Sequence, residues 1–96
     1  MSPQNKIKLN LLRKKLDKLD IQLLKLVKER TEIIKKVLPL KSYKKEIIDK
    51  KRIAVILKKI KKESFKINID PKITHRIWKN MIWSYINFEK KNFKKK

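Results

Sequence analysis

Residues 26–41 read LVKERTEIIKKVLPLK and continue a helical pattern that starts much earlier in the chain. Upstream, apolar residues recur at alternating steps of three and four, at Leu9, Leu12, Leu16, Leu19, Leu23 and Leu26. This spacing predicts one long helix, from about residue 6 to 41, that packs against other helices. We expect Pro39 to kink this helix or end it early, because proline removes a backbone hydrogen bond.

Two shorter helices follow in the sequence. Residues 41–48, KSYKKEII, are predicted to be a loop, and Asp49 is a plausible N-cap for the second helix. The segment SFKINID connects it to a third helix, which Asp70 and Pro71 open as N-cap and first helical residue. No strand alternation is present. The expected fold is all-α, with one long and two shorter helices, in a single domain spanning residues 1–96 whose residues 1–6 and 91–96 are frayed.

A long first helix also predicts an assembly of two chains. A helix of about 35 residues is roughly 50 Å long at 1.5 Å per residue. Two shorter helices cover only part of its apolar stripe. We therefore expect a helical homodimer.

The composition excludes several kinds of site. The 96 residues include no cysteine, no glycine and one histidine, His75. Disulfides and thiolate metal sites are thereby excluded, a histidine-ligated metal is disfavoured, and glycine-dependent phosphate loops are absent. No apolar run is long enough to cross a bilayer, and MSPQNKIK lacks the apolar core of a signal peptide. We expect a cytoplasmic protein with no metal and no membrane partner.

The net charge of +21, from 30 basic and 9 acidic residues, raises nucleic acid as a partner. However, most of the basic residues are lysines scattered over the outer faces of all three helices. Their abundance, together with isoleucine and asparagine, is typical of A- and T-rich genomes. We expect no specific nucleic-acid binding, and a basic helical nucleic-acid-binding protein remains the alternative from another functional class.

Two cations interrupt the apolar stripe of the first helix. Arg30 and Lys41 take positions that the spacing assigns to apolar residues, and their separation of eleven residues returns them to one helical face. Either they reach the surface or pair with Glu32, Glu46 or Asp49, or the interior of the bundle holds a small anion.

The third helix shows a comparable irregularity. Trp78, Ile82, Tyr85 and Glu89 fall on one stripe, so a carboxyl group closes an apolar and aromatic row. Glu89 either pairs with Lys90 or Lys91 near the end of the helix or belongs to the same anion pocket.

These residues resemble a known family. The segments that carry the resemblance are LLRKKLDKLD, LVKERTEII, VLPLK, DKKRIAVIL, IDPKITHRIW and SYINFE. Together, over roughly residues 7–90, they are similar to the AroQ-class chorismate mutases. The resemblance implies an intertwined all-helical dimer with no cofactor. It implies conversion of chorismate, a dicarboxylate, to prephenate on the route to phenylalanine and tyrosine.

The resemblance also implies a set of site residues. The residues that match the family's basic site positions are Arg13, Arg30, Lys41 and Arg52. Asp49 matches the acidic residue that begins the D-x-x-R turn, and Tyr85 takes a position often held by a small hydroxyl residue. Glu89 stands where the family usually has glutamine.

In this family the residue equivalent to Arg13 reaches into the partner's site, and the sequence spacing agrees. Arg13 and Arg30 are separated by about 25 Å along a helix and about 100° around it. A single straight helix cannot direct both side chains at one small ligand, whereas an antiparallel partner chain can supply the first.

The implied reaction is an intramolecular Claisen rearrangement, which needs positioning and electrostatic stabilisation of the breaking ether bond. We assign Arg13 and Arg30 to the carboxylates, Lys41 and Glu89 to the ether oxygen, and Arg52 with Asp49 to closure of the pocket. Only a protonated carboxyl donates a hydrogen bond, so activity is expected to be higher at mildly acid pH.

Two departures resemble the isochorismate-pyruvate lyases of the same fold. Ile53 stands where the mutases commonly have glutamate, and Tyr85 adds an aromatic ring to the third helix. Lyase activity on isochorismate is therefore the alternative within the family.

Overall fold

The computed structural model describes residues 1–94, and this part of the chain is helical with no strand. Helix α1 spans Pro3–Val37, α2 spans Lys50–Lys66 and α3 spans Pro71–Asn92. Two short 3₁₀ segments, Leu38–Leu40 and Lys44–Ile47, lie between α1 and α2. The predicted all-α fold of one long and two shorter helices is confirmed.

Pro39 ends the first helix. The last α-helical residue is Val37, so the helix stops before residue 41, where the spacing of apolar residues had extended it. The chain tightens instead into the 3₁₀ segment that contains Pro39, and the Lys41 amide donates to the Leu38 carbonyl at 3.1 Å. Lys41 therefore lies outside the helix, and the periodicity of α1 does not determine where its side chain points.

The starts of α2 and α3 are where the sequence predicts them. The Asp49 carboxylate accepts a hydrogen bond from the Arg52 amide at 3.0 Å, and the Asp70 carboxylate accepts one from the Lys72 amide at 2.9 Å. Each cap satisfies a backbone amide that has no partner within its own helix.

The second helix continues through residues that we predicted to be a connector. Ser64 is buried in α2, and its hydroxyl donates to the Ile60 carbonyl at 2.6 Å. The same hydroxyl lies 2.7 Å from that of Thr74 on α3. This polar contact between the two helices explains why a serine belongs to the interior here.

The turn from α2 to α3 depends on Asn68, whose φ of 59° lies in the left-handed region. The Ile69 amide donates to the Ser64 carbonyl at 3.0 Å and closes the end of α2. In a chain without glycine, asparagine is the residue best suited to this conformation.

The chain divides into two units, Met1–Ile33 and a second that begins at Ile34. Helix α1 has no buried residue. Five leucines of its stripe are more than half exposed, namely Leu12, Leu16, Leu19, Leu23 and Leu26. In the second unit α2 packs on α3.

The core of the second unit is small. Ile47, Ile82 and Ile86 are buried, and further apolar residues pack against them from the 3₁₀ segments, α2 and the end of α3. Within residues 1–94, no helix combines the length and the apolar character needed to cross a membrane.

Candidate functional site

The most distinctive polar contact of the second unit joins two of the predicted site residues. Lys41 Nζ lies 2.7 Å from Glu89 Oε2. Glu89 is only 5% exposed, and the Lys41 side chain is 18% exposed. This separation is short enough for a charge-assisted hydrogen bond, which is stronger than one between neutral groups.

Local structure explains how each partner reaches this contact. Glu89 lies on the face of α3 that carries the buried residues Ile82 and Ile86. Lys41 directly follows the 3₁₀ segment that contains Pro39, and its backbone is extended, with φ −81° and ψ 128°. The residues are 48 positions apart, so the contact belongs to the tertiary structure.

The sequence had offered Lys90 and Lys91 as simpler partners for Glu89. The structure places the carboxylate against Lys41 instead. Neighbours one and two positions apart on a helix do not face each other, so the adjacent lysines point elsewhere than the buried carboxylate.

Lys41 also borders a groove that contains another predicted site residue. The groove has a volume of about 550 Å³ and is lined by Lys41, Glu46, Ile48, Asp49, Lys50 and Lys51. Asp49 contributes as the N-cap of α2, and its hydrogen bond to the Arg52 amide places Arg52 in the first turn of that helix. The Arg52 side chain is exposed.

Tyr85 lies one helical turn before Glu89 and is half-buried. Since residues four apart share a helical face, Tyr85 and Glu89 project from the same side of α3. The second unit thus brings Lys41 and Glu89 into contact, and Asp49 lines the groove that Lys41 borders. Arg52 lies in the first turn of α2, and Tyr85 lies on α3 one turn before Glu89.

The two remaining predicted residues belong to the first unit. Arg30 is half-buried, and Arg13 is exposed, both on α1. They occupy one continuous helix, seventeen residues and about 25 Å apart along its axis. The separation expected from the sequence is therefore present in the folded chain, and the assignment of Arg13 to a partner's site stays a prediction.

Ile53, which had suggested the lyases, has a structural explanation. It is partly buried and packs against the core formed by Ile47, Ile82 and Ile86. An apolar residue at this position is accounted for by packing within the second unit.

The comparison with protein-family models decides the family. Residues 12–90 match the model described as chorismate mutase type II. The chain belongs to the chorismate mutase type II family. No curated protein and no solved structure matched the chain.

The matched range contains each of the candidate site residues of this family member, which are Arg13, Arg30, Lys41, Asp49, Arg52, Tyr85 and Glu89. The activity for which the family is named is an isomerisation.

We predict that the Lys41–Glu89 pair matters more to stability than an exposed pair of the same chemistry. Lys41→Met leaves a buried carboxylate without its ionic partner, which should lower the free energy of unfolding by about 3 kcal/mol. Adding Glu89→Leu to this variant should recover most of the loss, because the uncompensated charge is removed. Urea unfolding followed by circular dichroism at one fixed protein concentration measures both values.

The chain supplies its own control for this measurement. Lys66 Nζ lies 3.5 Å from Glu63 Oε1, and both side chains are about half exposed, at 58% and 49%. Lys66→Met should cost less than about 1 kcal/mol. Equal losses for Lys41→Met and Lys66→Met would contradict the structural role given to the buried pair.

Proposed function

We propose that the chain is a chorismate mutase, which rearranges chorismate to prephenate within a homodimer. The observation that carries this proposal is the family match over residues 12–90, which includes the seven candidate residues. The buried contact between Lys41 and Glu89 supports it, because it places a cation and a carboxyl group together beside an apolar core.

The roles follow from the chemistry of the substrate. Chorismate carries two carboxylates, and the planar, permanently charged guanidinium of arginine binds a carboxylate through two parallel hydrogen bonds. We assign Arg30 and the partner's Arg13 to these carboxylates. Arg52 and the Asp49 turn close the pocket.

The reaction needs no nucleophile, since the ether C–O bond breaks and a new C–C bond forms within one molecule. The protein has to hold the enolpyruvyl arm over the ring and stabilise negative charge that develops on the ether oxygen. We assign Lys41 and Glu89 to that oxygen, with Tyr85 beside them on α3.

The homodimer rests on the apolar stripe of α1. From Leu12 to Leu26 its leucines remain more than half exposed, in a helix that has no buried residue. A contiguous exposed apolar surface of this kind marks an interaction site. Two α1 helices in antiparallel order would cover each other's leucines and bring the partner's Arg13 toward the other chain's site.

Replacing Arg30 tests the proposed activity directly. Arg30→Ala should lower kcat/KM for chorismate by about 10²–10³, the usual effect of removing one electrostatic donor. Lys14→Ala, which removes a cation from the outer face of the same helix, is the matched control and should leave kcat/KM unchanged. Prephenate formation and chorismate loss are measured together.

The same assay separates the proposed activity from its alternative in the family. Isochorismate is supplied in parallel, and pyruvate release is measured. Absence of prephenate formation, or faster pyruvate release from isochorismate, would overturn the mutase proposal.

Glu89 should make the reaction dependent on pH. A carboxylate only accepts hydrogen bonds, whereas the protonated acid can donate one to the ether oxygen. The rate should therefore be higher at mildly acid pH and decline towards alkaline pH. Glu89→Gln keeps a donor at every pH, and its pH–rate profile should lack this decline.

The control for the pH measurement is Glu63→Gln, which changes an exposed carboxylate paired with Lys66. Its profile should follow that of the unchanged protein. Identical profiles for the unchanged protein and Glu89→Gln would contradict the role of the carboxyl proton.

Mixed dimers test whether Arg13 acts in the partner's site. Arg13→Ala and Arg30→Ala chains are each expected to be nearly inactive. In a dimer with one chain of each kind, one site contains both arginines and the other contains neither. Random mixing by joint refolding makes half of the dimers mixed, so activity should return to about a quarter of the unchanged protein.

A second mixture provides the control. Arg30 and Lys41 are both assigned to the site of their own chain. A mixed dimer of one Arg30→Ala chain and one Lys41→Met chain therefore contains no complete site. This mixture should stay inactive. Failure of Arg13→Ala and Arg30→Ala to restore each other would place Arg13 in its own chain's site.

A further inference from the structure

A second groove lies between α2 and α3 and shares no lining residue with the groove beside Lys41. Its volume is about 700 Å³, within the range of small-molecule sites. Lys58 and Lys61 line it from α2, and Lys72 and Arg76 line it from α3. His75 is also part of its lining, and no acidic residue is.

The helical spacing explains why these cations converge. Lys58 and Lys61 are three residues apart on α2, and Lys72 and Arg76 are four apart on α3, so each pair occupies one helical face. The buried hydroxyl contact between Ser64 and Thr74, at 2.7 Å, holds the two helices together beside the groove. The spacing of the four cations is therefore set by the packing of the helices.

The four cations form no ion pair within residues 1–94. The acidic residues nearest in sequence are already engaged: Glu63 pairs with Lys66, and the Asp70 carboxylate accepts the Lys72 amide. Four like charges around one groove repel one another and attract anions from solution. A ligand that balances them carries three or four negative charges, which is more than the two of a dicarboxylate.

The groove also has an apolar part. Leu57 and Pro71 line it and are half-buried. A ligand that uses the whole groove combines a highly charged portion with an apolar or ring portion. His75 adds an imidazole that can donate a hydrogen bond from its protonated ring nitrogen.

We infer that this groove binds a small organic polyphosphate that carries a ring. The phosphates lie among Lys58, Lys61, Lys72 and Arg76, and the ring lies on Leu57 and Pro71. This binding site is separate from the proposed mutase site and does not depend on the proposed activity.

The test compares three probes by isothermal titration calorimetry near physiological salt, about 150 mM. ATP supplies both polyphosphate and ring, tripolyphosphate supplies charge alone, and single-stranded oligothymidylate represents a nucleic acid. ATP should bind at one site per chain, and several-fold more tightly than tripolyphosphate.

The groove variant is Lys61→Gln with Arg76→Gln. It should weaken ATP binding by about tenfold or more, because two charge-assisted contacts to phosphate are lost. The matched control is Lys14→Gln with Lys18→Gln, which removes the same charge from the exposed outer face of α1. The control should weaken binding by less than about twofold, as expected for a change in overall charge alone.

Circular dichroism checks that the double variant folds, and Arg76→Gln alone replaces it if it does not. Equal weakening by the groove and control variants would overturn the proposal, because it would show diffuse attraction to a +21 protein. Tighter binding of oligothymidylate than of ATP through the same residues, or no binding of ATP, would also overturn it.

Discussion

The contact between Lys41 Nζ and Glu89 Oε2 is the interaction on which the arrangement of the second unit depends. It ties the segment that follows α1 to the last turns of α3, next to a core that contains only three buried apolar residues within residues 1–94. Removing either charge from water is costly, and the pair is tolerated because each group satisfies the other. Apolar residues of similar volume could occupy these positions without loss of stability, so stability alone does not explain the pair.

The first helix imposes a second constraint. It spans 35 residues and has no buried residue, although its leucines form a continuous stripe. Helices gain most of their stability in proteins from packing of such a stripe, and only a little from intrinsic propensity. The chain belongs to the chorismate mutase type II family. Both this membership and the proposed dimer agree with a helix whose apolar face packs against another chain.

The basic residues that give this chain its high positive charge lie in different environments. Lys41 is half-buried and paired, four cations line a groove without an ion pair in the described chain, and lysines such as Lys14 and Lys18 are exposed on the outer face of α1. These environments have different energetic consequences. A solvated lysine contributes little, like charges that line one groove repel one another and attract anions, and a charge removed from water requires a counter-charge. Net charge alone therefore says little about the function of this protein.

Local patterns in the sequence determined the three helices, the starts of α2 and α3, and the types of residue that occupy the candidate site. Asp49 and Asp70 cap their helices through hydrogen bonds that span two or three residues, so their effect can be predicted without the fold. The tertiary structure decided that α2 continues to Lys66, through the contact of Ser64 with Thr74, and that Glu89 pairs with Lys41. Pairing over 48 residues depends on how α3 packs against the segment that follows Pro39, and helical periodicity contains no information about contacts beyond its own helix.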